Sequence, residues 1–141
     1  MKLFFISIGI VVILLIGTIF ILPTPQGIDP NDPRIVTANG LHWHPQLAIY
    51  VKDVQQEIPK NLGLGVVHNP IHTHEDLPII HLEFQGVVRK DDITLGKFFD
   101  VWSKDMRSFG ANMRMTVNGV ENTEYADYIM RDGDQIELRY D

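Results

Sequence analysis

Over residues 41–51, "LHWHPQLAIYV", apolar and polar side chains alternate with period two, the pattern of a strand with one face buried. Leu41, Trp43, Pro45, Leu47, Ile49 and Val51 make one face; His42, His44, Gln46, Ala48 and Tyr50 make the other. The apolar face belongs on a core, so both histidines are expected together on the opposite side. Pro45 has no N–H for a ladder and marks an edge or a bulge near the strand's start. The alternation returns in "IIHLEF", residues 79–84. There Ile80, Leu82 and Phe84 oppose Ile79, His81 and Glu83.

Between these stretches, residues 52–66 read as a turn, a short return strand and a loop. Gly63 and Gly65 disfavour a helix. Residues 68–78, bracketed by Pro70 and Pro78, read as a loop or a short extended piece. One amphipathic helix is expected in "DDITLGKFFDVWSKDM", where Leu95, Phe98, Phe99, Trp102 and Met106 recur at helical spacing. Asp92 or Thr94 is placed to cap it, and Gly96 weakens it. This aromatic stripe reads as core and not as a ligand platform.

The remainder reads as a strand, an Asn118-Gly119 turn, an irregular stretch, an Asp132-Gly133 turn and a final strand. In that strand Ile136, Leu138 and Tyr140 alternate with polar residues. A helix, a hairpin, an irregular crossing and "RDGDQIELRY" resemble the closing half of a β-grasp module. The fold class expected is therefore α+β, a small mixed sheet with one main helix and a β-grasp-like C-terminal part.

Residues 3–22 carry no charge. A helix of about 20 apolar residues spans the hydrocarbon core of a bilayer. A cleaved signal peptide usually has a shorter apolar run ending in small residues. Here the run ends in "IFILPTPQG", and the absence of cysteine removes any lipid attachment through that side chain. Residues 1–22 thus read as a transmembrane signal-anchor, 23–34 as a proline-rich tether and 35–141 as a globular domain. Lys2 precedes the span and two aspartates follow it before the first arginine. Positive residues stay in the cytoplasm, so the domain is expected on the other side, with residues 3–22 in the lipid bilayer.

The 141-residue chain holds 12 Lys plus Arg against 18 Asp plus Glu. Without Lys2 the balance is 11 − 18 = −7. This disfavours nucleic acid and anionic lipid headgroups as partners, and it suits cations as well as plain solubility.

All six histidines fall in two patches, two at residues 42 and 44 and four within residues 68–84. Residues i and i+2 of a strand lie on one face about 6.5–7 Å apart, close enough to converge on one ion. His42, His44, His72, His74 and His81 are the candidate ligands for a transition metal. Glu83 or Glu75 would be a further ligand or would orient an imidazole. A cysteine-free imidazole set suits copper(II) or zinc. Met113 and Met115 would suit copper(I) but read as core filler.

Three functions compete: a metal carrier, receptor or sensor; a metal-dependent oxygenase or hydrolase; and a non-metal interaction module whose histidines sense pH. A 2-His-1-carboxylate centre could use His72, His74 and Glu83. The cupin pattern fails, because Glu75 follows His74 at once and no histidine follows His81. Neither Gly-x-Ser-x-Gly nor a phosphate loop occurs. No catalytic residue is assigned, and His68 stands apart.

The stretches "HWHPQLAIYV", "IHTHEDLPIIHLEF" and "TLGKFFDVW" resemble a group of small membrane-anchored bacterial and archaeal proteins. That group carries His-x-His, then Ile-His-Thr-His-Asp leading to Ile-His-x-Glu, then TLGxFFxxWG. The resemblance covers most of residues 40–140, with departures at Glu75, where the group has Asp, and at Ser103, where it has Gly. It implies an anchor and a histidine-rich extracytoplasmic domain, and no reaction.

Overall fold

The C-terminal strand organises the largest sheet. In this computed structural model, which describes Asp29 and residues 31–141, strand β10 (Gln135–Tyr140) lies parallel to β3 (Gln46–Val51) and antiparallel to β8 (Met113–Val117). β4 (Val54–Gln56) flanks β3, and β9 (Val120–Glu121) flanks β8, giving the order β4-β3-β10-β8-β9. Ile136, Leu138 and Tyr140 are buried, as the alternation requires. Asn118 and Gly119 both take positive φ (53° and 80°), the pair that closes a tight hairpin between β8 and β9.

A second sheet has three strands in the order β2-β6-β5, formed by β2 (Leu41–Trp43), β5 (Ile71–His72) and β6 (His81–Phe84). β1 (Ile35–Thr37) and β7 (Val88–Arg89) pair as a two-stranded sheet. The described chain is thus mixed α+β with three sheets and one main helix. The expected membrane span, residues 3–22, and most of the tether lie outside the described residues. Among those described, no helix is long and apolar enough to cross a membrane.

The single strand expected over residues 41–51 is two strands in two different sheets, β2 and β3, broken at His44-Pro45. Pro45 cannot donate, so the ladder stops there. Its carbonyl still accepts from Ile80 N (2.8 Å), and Leu47 N donates to Pro78 O (3.0 Å). These two bonds join the sheets beside the histidines.

The expected long helix is also divided. A 3-10 turn spans Lys90–Ile93, α1 spans Leu95–Trp102, and a second 3-10 turn spans Met106–Phe109. Thr94 stands at the N-cap of α1 without a side-chain bond, while the Asp92 carboxylate accepts from Arg89 N (2.8 Å). Ser103 ends α1 in the left-handed region, φ 55°, with its N–H donating to Asp100 O and Phe99 O. Eight residues are too few to hold a helix alone. Leu95, Phe98 and Phe99 are buried, and each such side chain contributes about 1.5–3 kcal/mol relative to exposure. Packing on the core therefore holds α1.

Candidate metal centre

Strand register brings the histidines together. In the β2-β6-β5 sheet, His42 pairs with Glu83 and His72 pairs with His81. Paired residues project from the same face, and so do His81 and Glu83, two apart on β6. One face therefore carries His42, Glu83, His81 and His72. The other carries Trp43, Leu82 and Ile71, whose registers match across the three strands. His44 and His74 follow just beyond the ends of β2 and β5.

The "IHTH" segment is held by its third residue. Thr73 is fully buried on the side away from the histidines. Its hydroxyl donates to Pro59 O (2.9 Å) and accepts from Leu62 N (3.1 Å), and its own N–H donates to Leu62 O (3.1 Å). Gly63 continues this support, since a Cβ there would sit 2.6 Å from Ile71 O and its φ is +72°. Only glycine lets that loop lie so close against β5.

One donor atom from each of His72, His74 and His81 lies within 4.8 Å of the other two, and the same holds for His42, His44 and His81. The Nε2 atoms of His72 and His74 are 3.1 Å apart. Two nitrogens bound tetrahedrally to one ion at about 2.0–2.1 Å would be separated by about 3.3 Å. Glu83 Oε1 lies 3.1 Å from His42 Nε2, 4.0 Å from His72 Nε2 and 3.9 Å from His81 Nδ1. Both triads could hold a metal ion, with Glu83 within reach of each.

Neighbouring groups set the tautomers. Asn69 O is only an acceptor, so His72 Nδ1, 3.0 Å away, donates to it and Nε2 keeps a lone pair. His81 Nε2 lies 3.2 Å from both oxygens of Asp76. A carboxylate accepts, so Nε2–H donates and Nδ1 carries the lone pair. That Nδ1 is buried and has no hydrogen-bond partner among the described residues. A carboxylate that holds the far nitrogen of an imidazole is the usual support of a histidine ligand.

The remaining electrostatics agree with this arrangement. Burial pushes the pKa of His72 down, which keeps its ring neutral. The bond from His81 holds the Asp76 carboxyl below its usual range. Asp132, in the turn before β10, accepts from the backbone N of His44 (2.8 Å), and the same oxygen lies 3.8 Å from His44 Nδ1.

Lying opposite an apolar stripe does not leave all of these histidines in solvent. His72 and His81 are buried, with exposures of 3 % and 9 %. The side chains of His42 and His44 remain 63 % and 41 % exposed. Period two gives a side chain's direction but not the depth of what covers it. Glu75 is away from the site, bound to Lys60 Nζ (2.6 Å) and Asn61 Nδ2 (3.4 Å). The ring of His68 lies 6.5 Å from that of His72, and His68 belongs to neither triad.

Asn69, Thr73, Asp76 and Asp132 escaped the sequence reading. Asp76 carried a faint signal, since it follows His74 by two residues. Asp132 carried none, being far from His44 in the chain.

The chain matches no family model, no curated protein and no solved structure.

Proposed function

We propose that this chain is a membrane-anchored extracytoplasmic protein that binds a transition metal ion, copper or zinc, through clustered histidines, as a carrier, receptor or sensor. The observation that carries the proposal is the convergence of five imidazoles in two triads around His81, whose Nδ1 is buried without a hydrogen-bond partner among the described residues. Imidazole nitrogen with carboxylate oxygen suits zinc and copper(II). Neutral imidazoles with a carboxylate at hand leave the ion's charge partly balanced.

The anchor rests on the uncharged residues 3–22 and on the charges flanking them, together with the resemblance to membrane-anchored histidine-rich proteins. The order β4-β3-β10-β8-β9, with α1 between β4 and β8, supports the β-grasp reading of the C-terminal part. The β2-β6-β5 sheet with the histidines would then be an addition to that module.

The test is elemental analysis of the full-length chain purified in detergent, beside the His72→Ala/His74→Ala variant. The parent chain should retain copper or zinc and the variant should lose it. A visible absorption band would favour copper and a colourless ion zinc. A parent chain that takes up neither metal removes the proposal. Protease treatment of sealed cells should reach the domain from outside.

A further inference from the structure

The two triads share one residue, His81. A histidine serves two ions only when both ring nitrogens bind. In His81, Nε2 is taken by Asp76, and only the buried Nδ1 is left. The two triads therefore cannot each hold an ion at the same time.

The triads also differ in depth. The contrast lies in one pair: His42 is exposed and His72 is buried, while His44 and His74 are both half-buried. His81 lies between them, its ring centroid 5.0 Å from that of His44, 4.6 Å from His74 and 5.4 Å from His72. Glu83 Oε1 is within 4.0 Å of His42, His72 and His81.

Building on the metal reading, we propose that the triads are successive positions of one ion. The ion is captured by His42 and His44 and handed to His72 and His74, with His81 Nδ1 bound throughout. The step is ligand exchange: two imidazole lone pairs leave as two others bind. No electron moves and the charge of the ion is unchanged; the N–H that His74 Nε2 points at the lone pair of His72 Nε2 passes by way of solvent to its own Nδ1 as the ion arrives. Glu83 can stay beside the ion in both positions.

Two roles for His42 and His44 predict opposite kinetics. If they were static ligands, removing them would speed release. If they form the entrance, removing them slows loading and, by microscopic reversibility, slows release as well.

The experiment uses zinc as the probe and full-length chain in detergent. Loading is followed by stopped flow, and release by transfer to a chromophoric chelator. The parent should bind about one zinc, and His42→Ala/His44→Ala should slow both rates by about tenfold or more. His42→Ala alone should slow both by less, and His68→Ala should keep the parent's rates. Circular dichroism checks that each variant folds. Two zinc ions bound at once, faster release, or unchanged rates in the double variant would overturn the relay while leaving metal binding intact. A parent that binds no zinc, copper(II) or cobalt(II) would remove the metal reading and the relay with it.

Discussion

His81 presents both of its ring nitrogens to carboxylates, Nε2 at 3.2 Å from Asp76 and Nδ1 at 3.9 Å from Glu83, and only the first contact is a hydrogen bond. Asp76 thereby holds the ring with Nδ1 turned toward Glu83. It acts on the orientation and basicity of a ligand.

Asp76→Asn keeps the shape of the side chain but removes the negative charge and lets the amide present a donor to Nε2. The expected result is a loss of about 10–100-fold in zinc affinity with the fold retained. Competition against a chelating dye measures the affinity, and far-ultraviolet circular dichroism reports the fold. An affinity equal to the parent's would assign Asp76 no part in orienting His81.

Ion binding should stabilise the folded chain. Metal at about 100 times its dissociation constant adds about 2.7 kcal/mol, provided the unfolded chain does not compete. Thermal unfolding should therefore shift upward when zinc or copper is added to the parent. In His72→Ala/His74→Ala the shift should shrink or vanish. A chelator should reverse it.

The chain should lose stability in alkali through two tyrosines. Burial pushes the hydroxyl of Tyr140 up to about 12, and burial with a bond to Asp134 pushes Tyr128 up as well. In the unfolded chain a tyrosine ionises near about 10, so above that pH the unfolded state releases protons that the folded state still holds. Stability is therefore present below about pH 10 and falls as pH rises through 10–12, by about 1.4 kcal/mol per pH unit for each tyrosine. Denaturant titrations across that range, with tyrosinate absorbance as a second probe, should show unfolding and ionisation together. Tyr140→Phe should flatten the fall.

Ser103 holds a left-handed conformation, φ 55°, at the end of α1. A non-glycine residue there costs about 1–2 kcal/mol. Glycine avoids that cost but loosens the unfolded chain. Ser103→Gly should raise stability by about 1 kcal/mol, measured by urea denaturation. A loss of stability would mean that the serine side chain makes a compensating contact.

Much of the histidine arrangement was legible in period two alone. Leu41, Leu47, Ile49, Ile80 and Leu82 are buried where alternation placed them, and His42 and His81 project away from those stripes. The helical spacing of Leu95, Phe98 and Phe99 likewise marked the buried face of α1. Asn118-Gly119 marked its turn, because few residue pairs tolerate two positive φ values in succession.

These signals are local, and local patterns determine which way a side chain points. Only the tertiary structure decided which strands became neighbours, and so which imidazoles share a face. The break at His44-Pro45 sent one apparent strand into two sheets, because a proline cannot continue the ladder. The depth of His72 and His81 depends on segments packed over them, and Asp132 reaches His44 across 88 positions of chain. A carboxylate that meets an imidazole through folding has no spacing by which it could be read beforehand.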